Sequence, residues 1–97
     1  ESLFKKISPI EIESSVSVDN ELSSKATTVQ VVTSDKPGRL YKILEAFYEI
    51  QQNVLSAKIS TLGEKIFDIF QITDSKGKKI TNSEDIKNIK KKIMSVL

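Results

Sequence analysis

The six residues Asp35-Lys36-Pro37-Gly38-Arg39-Leu40 separate a β-branched run from an amphipathic one, so the chain has to pass from strand to helix within one tight turn. Before the turn, residues 27–33 (Thr-Thr-Val-Gln-Val-Val-Thr) have the composition of a strand. After it, Leu40, Ile43, Leu44, Phe47 and Ile50 recur at spacings of three and four, which predicts a helix over 40–50 with Lys42, Glu45 and Glu49 on its other side. Within the turn, Pro37 has no amide to lose at a helix start and fixes φ, while Gly38 lets a ligand come close to the main chain. Asp35 has two readings, a cap that accepts from the first free helix amides or a direct ligand contact. Either way the turn leaves a helix N-terminus suited to an anion such as a carboxylate.

The flanking segments supply the rest of a small sheet. Residues 1–9 are polar and mixed and read as a linker or tail, and residues 10–97 read as one domain. From Ile10 the pattern alternates, with Ile10, Ile12, Val16 and Val18 on one face, and Ser14 interrupts it as a possible bulge. Residues 19–26 carry Asp, Asn and Ser and form a connection, so this strand and the one over 27–33 make a hairpin. Two further strands are predicted over 53–61 and 65–73, with Leu62-Gly63-Glu64 as the turn between them. The second is apolar on both faces around Phe67 and Ile69, as expected of a central strand or of one covered by a partner. Asp74-Ser75-Lys76-Gly77 is another turn. Thr81-x-x-Glu84 has the form of a capping box for a closing helix with Ile86, Ile89, Ile93 and Val96 in its stripe and Lys87, Lys90, Lys91 and Lys92 mostly outside it.

The order strand, strand, helix, strand, strand, helix fits a ferredoxin-like unit with one change. A βαββαβ unit needs a strand after its second helix, and none is left before Leu97. The strand from Ile10 to Val18, paired antiparallel with the strand over 27–33, can take the vacant position. The expected fold class is therefore α+β: a four-stranded antiparallel sheet with two helices on one face and the N-terminal strand in place of the missing last one.

Composition removes several classes of function. The chain has 97 residues, no cysteine and no histidine, which leaves it without thiolate nucleophiles, disulfides, imidazole bases or the usual zinc ligands. Catalysis by this chain alone, and a cofactor or metal to support it, are not expected. Its net charge of +2 lacks the basic excess of a nucleic-acid binder. The aromatic pair Phe67 and Phe70 has no flanking glycine-aromatic pattern, and 29–32 offers no aromatic to stack on a base. No apolar run approaches the roughly 20 residues of a membrane span, and no signal-peptide plan opens the chain. A cytoplasmic protein is expected. The start at Glu1 rather than Met suggests a piece of something longer.

The run from Thr28 through the turn to Tyr41, then Ala57-Lys58-Ile59-Ser60-Thr61-Leu62-Gly63-Glu64, then Asp68-Ile69-Phe70-Gln71-Ile72-Thr73-Asp74, resembles an ACT domain. It is most similar to the C-terminal ACT domain of the bifunctional uridylyltransferase and uridylyl-removing enzymes that act on the PII signalling protein. The resemblance covers 10–97 and implies a regulatory unit that senses a small amino acid, with glutamine the expected ligand. It implies pairing with another ACT domain, in tandem or as a homodimer, and contact with PII only through a larger parent enzyme. The catalytic centres of that nucleotidyltransferase would lie elsewhere.

The resemblance places the ligand at Asp35, Lys36, Pro37, Gly38, Arg39 and Leu40. On this reading the amides of Gly38, Arg39 and Leu40 hold the ligand α-carboxylate and Asp35 favours its α-ammonium. Asn53, Val54 and Leu55 would approach the same ligand or one in a paired domain, although Asn53 has a plain turn-stabilising use as well. Arg39 departs from the family's usual aliphatic residue after the glycine, and either strengthens carboxylate binding or crowds the site. A domain that has lost its ligand and only dimerises is the competing reading.

Overall fold

The computed structural model describes residues 13–97. Strands β1 (Ser15–Asp19) and β2 (Thr27–Ser34) are followed by helix α1 (Arg39–Glu49), strands β3 (Asn53–Leu62) and β4 (Lys65–Thr73), and helix α2 (Ser83–Met94). The expected linker and the start of the first strand at Ile10 and Ile12 lie outside the described residues. Val16 and Val18 keep the predicted alternation. Ser14 is not a bulge: it precedes the strand, and its hydroxyl is hydrogen-bonded to that of Thr33 at 2.8 Å.

The sheet order is β1-β2-β4-β3, with every neighbouring pair antiparallel. The first strand lies at the sheet edge beside β2, where the ferredoxin-like reading put it. Strands β2 and β3 run parallel on either side of β4, joined through α1, which makes the β2-α1-β3 unit a split crossover. At the centre, the Thr28 hydroxyl donates to Gln71 Oε1 at 2.9 Å across β2 and β4.

Strand periodicity sets which face is dry. Val29, Val31, Phe70 and Ile72 project from one side of the sheet and pack with Ile43, Ala46 and Phe47 of α1 and Ile89 and Ile93 of α2. Phe47 and Phe70 meet with ring centroids 5.2 Å apart at 58°. Both helices therefore cover the same face. On the other face Phe67 and Ile69 are half-buried, with the Lys65 ammonium 5.4 Å from the Phe67 ring centre.

Two details of the helices depart from the sequence pattern. Leu44 was expected in the core stripe of α1 but is exposed, and Ala46 is buried instead. At about 100° per residue the inward face closes around Ile43, Ala46 and Phe47. Leu44 then joins exposed Tyr41 and Tyr48 on the outward side. Helix α2 is capped by Asn82 rather than Thr81, because the Asn82 side-chain oxygen reaches the amides of both Glu84 (2.9 Å) and Asp85 (3.2 Å).

Strand β3 carries a bulge not foreseen from the sequence. The register shifts between Val54 and Ser56, so Leu55 has no cross-strand partner and faces solvent. Gly63 takes φ 63° in the two-residue turn between β3 and β4.

Candidate functional site

The end of β2 and the start of α1 form one wall of a cavity of about 350 Å³, and β3 and β4 form the other. Asp35, Lys36, Pro37, Gly38, Arg39 and Leu40, the six turn residues singled out in the sequence, all line it. The turn is tied down from outside the helix, by the Asp35 amide donating to the Glu64 carbonyl at 3.0 Å. That bond joins it to the β3–β4 turn.

Asp35 does not cap α1. The N-cap is Gly38 in the left-handed region, φ 76° and ψ 0°, with no side-chain capping bond. A left-handed residue at this point turns the chain sharply into the helix, and Asp35, three residues earlier and exposed, is carried away from the first amides. The Arg39 amide is occupied, donating to the Lys36 carbonyl at 3.2 Å. The amides of Gly38, Leu40 and Tyr41 have no acceptor among the described residues. Two of the three expected donors, Gly38 and Leu40, thus remain open, and Tyr41 replaces Arg39 as the third. The first turn of α1 carries no acidic residue to compete with an incoming anion.

The Arg39 side chain folds inward and is 8% exposed. Its guanidinium donates to the Thr33 hydroxyl, to the Ser34 carbonyl (2.8 Å) and hydroxyl (3.2 Å), and to the main-chain oxygen of Leu97 (2.9 Å). These acceptors are uncharged groups or main-chain oxygen, and no carboxylate side chain pairs with Arg39 among the described residues. The long cation therefore forms part of the wall, stapled to β2 and to the segment after α2, and does not plug the cavity.

Asn53 and Val54 lie elsewhere. They line a cleft of about 310 Å³ at the other end of α1, with Leu44, Tyr48 and Gln52, while Leu55 points outward at the bulge. The Asn53 side-chain amide donates to the Asp74 carbonyl at 3.1 Å, which is its turn-stabilising use. The predicted residues thus fall into two groups within one chain, six at the turn and three near the far end of the helix.

One residue of the turn cavity was not singled out as a site residue. Asp68 lines it from β4, on the helix-facing side between Val31 and Ile59, and is 3% exposed. Burial raises its carboxyl pKa above the usual range. The available signal was an acidic residue in an apolar central strand, at the same parity as Phe70 and Ile72.

Comparison with known proteins gives the family context. Residues 22–97 match the family described as the ACR family N-terminal ACT domain. Bifunctional uridylyltransferase/uridylyl-removing enzymes are among the relatives. The protein from Nitrobacter winogradskyi is 31% identical over 93 residues, 96% of this chain and 10% of that protein. The one from Azospirillum brasilense is 35% identical over 82 residues, 84% of this chain and 9% of that protein. The chain spans about a tenth of the length of these curated relatives. The matched description is of an N-terminal ACT domain, where the sequence resemblance pointed to a C-terminal one; the ACT family is common to both. No solved structure gives a significant match. No helix among the described residues is long and apolar enough to cross a membrane.

Proposed function

Because the chain belongs to the ACT domains of the ACR family, we propose that it is the amino-acid-sensing part of a larger cytoplasmic enzyme, that it binds glutamine, and that it thereby controls uridylylation and deuridylylation of the PII protein. The chain itself performs no catalysis. The observation that carries this reading is the turn cavity, in which the open amides of Gly38, Leu40 and Tyr41 meet the buried cation of Arg39. The amides and the helix dipole hold the α-carboxylate, and Lys36 and Pro37 shape the rim. Asn53, Val54 and Leu55 contribute from a paired ACT domain.

Regulation follows from pairing. A ligand that stabilises one arrangement of two ACT units shifts an attached enzyme only by its difference in affinity for the two arrangements. The exposed apolar side chains open to such pairing are Tyr41, Leu44 and Tyr48 on the outward side of α1 and, separately, Leu55 and Leu62 on β3. That exposed apolar surface also favours a second reading, an ACT-like domain that pairs without a ligand.

Isothermal titration with L-glutamine separates the two. Saturable binding, selective over other amino acids and weakened at least about tenfold in Gly38→Asp, is expected. Aspartate tolerates the left-handed backbone better than most residues and brings its own anion to the open amides. Unchanged affinity in Gly38→Asp removes the site from the turn. No binding at concentrations where the chain pairs leaves the ligand-free reading.

A further inference from the structure

Asp68 and Arg39 line the same cavity with opposite charges, yet they do not pair with each other. Arg39 is directed to Thr33, Ser34 and Leu97. Asp68 Oδ1 is buried and has no hydrogen-bond partner among the described residues. An ionised carboxylate in that position is costly unless a cation or donor reaches it. Its cross-strand neighbours, Val31 and Ile59, offer neither.

We infer that Asp68 is the acceptor for the ammonium group of the ligand in this cavity, and so the residue that selects ligands bearing a primary ammonium. The inference rests on the amino-acid reading for the carboxylate end of the ligand. A zwitterion with its carboxylate at the α1 amides and its ammonium on Asp68 compensates both groups, which line the one cavity. Asp35, earlier given this role, is exposed at the rim, where water weakens any ion pair. Asp68 forms its pair away from bulk water, where a charge-assisted hydrogen bond discriminates more strongly.

The test uses the full chain and two probes, L-glutamine and its deaminated analogue 4-carbamoylbutanoate. Wild type should prefer glutamine by roughly ten- to a hundredfold, and Asp68→Asn should abolish that preference while retaining a cooperative melt. The glutamine affinity of wild type should also weaken as pH falls through the raised pKa of Asp68, and Asp68→Asn should lose that dependence. The other charged or titratable groups on the cavity are Arg39 and Tyr41 of α1 and Asp35 and Lys36 of the turn. Asp35→Asn, measured in parallel, separates the second carboxylate.

A third probe, ethylammonium, followed by the carboxyl carbon resonance of Asp68, keeps the two readings distinguishable. Equal glutamine affinity in wild type and Asp68→Asn overturns the Asp68 assignment and leaves the glutamine reading standing. No glutamine binding, with ethylammonium still shifting the Asp68 resonance, supports the cation acceptor and removes glutamine. Failure of both probes overturns both.

Discussion

The two edges of the sheet have opposite characters. Edge β1 has five residues, its apolar side chains Val16 and Val18 are half-buried against the core, and its end is clasped. Asn20 donates to the Ile80 carbonyl at 2.8 Å and accepts from the Thr27 hydroxyl at 2.6 Å, while Thr27 Oγ1 in turn accepts from the Ile80 amide at 2.8 Å. Edge β3 has ten residues, nearly all exposed, including Leu55, Ile59 and Leu62. A long exposed edge with apolar side chains is a template for pairing, and a short clasped one is not. The chain covers the apolar side chains of one edge strand and leaves those of the other exposed.

The largest expected effect is on the closed side. Val16→Asp places an unpaired charge against the core and should cost about 3 kcal/mol of stability, read from denaturant melts. A loss below about 0.5 kcal/mol, the range of a surface substitution, breaks the contrast, because β1 would then be as dispensable as an exposed strand. Next comes the clasp. Thr27 is fully buried and serves both Asn20 and Ile80, so Thr27→Val should cost about 2 kcal/mol by leaving those two groups without their partner.

On the open side the order of effects reverses. Leu62 is 72% exposed and Leu55 is 61% exposed, so the double variant Leu55→Lys with Leu62→Lys should change monomer stability by less than about 0.5 kcal/mol. Sedimentation should show that it abolishes self-association. Parent chain and variant sedimenting alike as monomers would show that β3 is open without being an interface, and would sharpen the contrast to one of packing alone.

Much of this architecture was legible because short-range chemistry specifies it. β-branched composition placed β2, an apolar run placed β4, the Pro-Gly turn placed the start of α1, and the alternation of Val16 and Val18 with the short connection to β2 placed β1 beside it. The errors came where tertiary geometry chooses among local options. Thr81 and Asn82 are both acceptable caps, and the choice of Asn82 depends on where the chain leaves the Ile80 clasp. Leu44 fits the stripe by spacing, yet the space beneath α1 is filled by Ile43, Ala46 and Phe47. The turn residues of the candidate site were visible because they are consecutive. Asp68 was not, because it reaches the turn only through the pairing of β4 with β2 and β3, and sequence spacing carries no information about that proximity.

The Thr28–Gln71 bond between the central strands joins residues 43 apart in the chain. Each outer pairing, β1 with β2 and β3 with β4, closes over a short connection and can form early. The junction of β2 with β4 must wait until a much longer stretch, including all of α1, is brought round, and loop-closure entropy and contact order both make that step the slow one. On these grounds the pairing of β2 with β4, rather than either hairpin, is expected to limit the folding rate. The turn cavity, walled by β2 on one side and β4 on the other, comes into existence only at that moment.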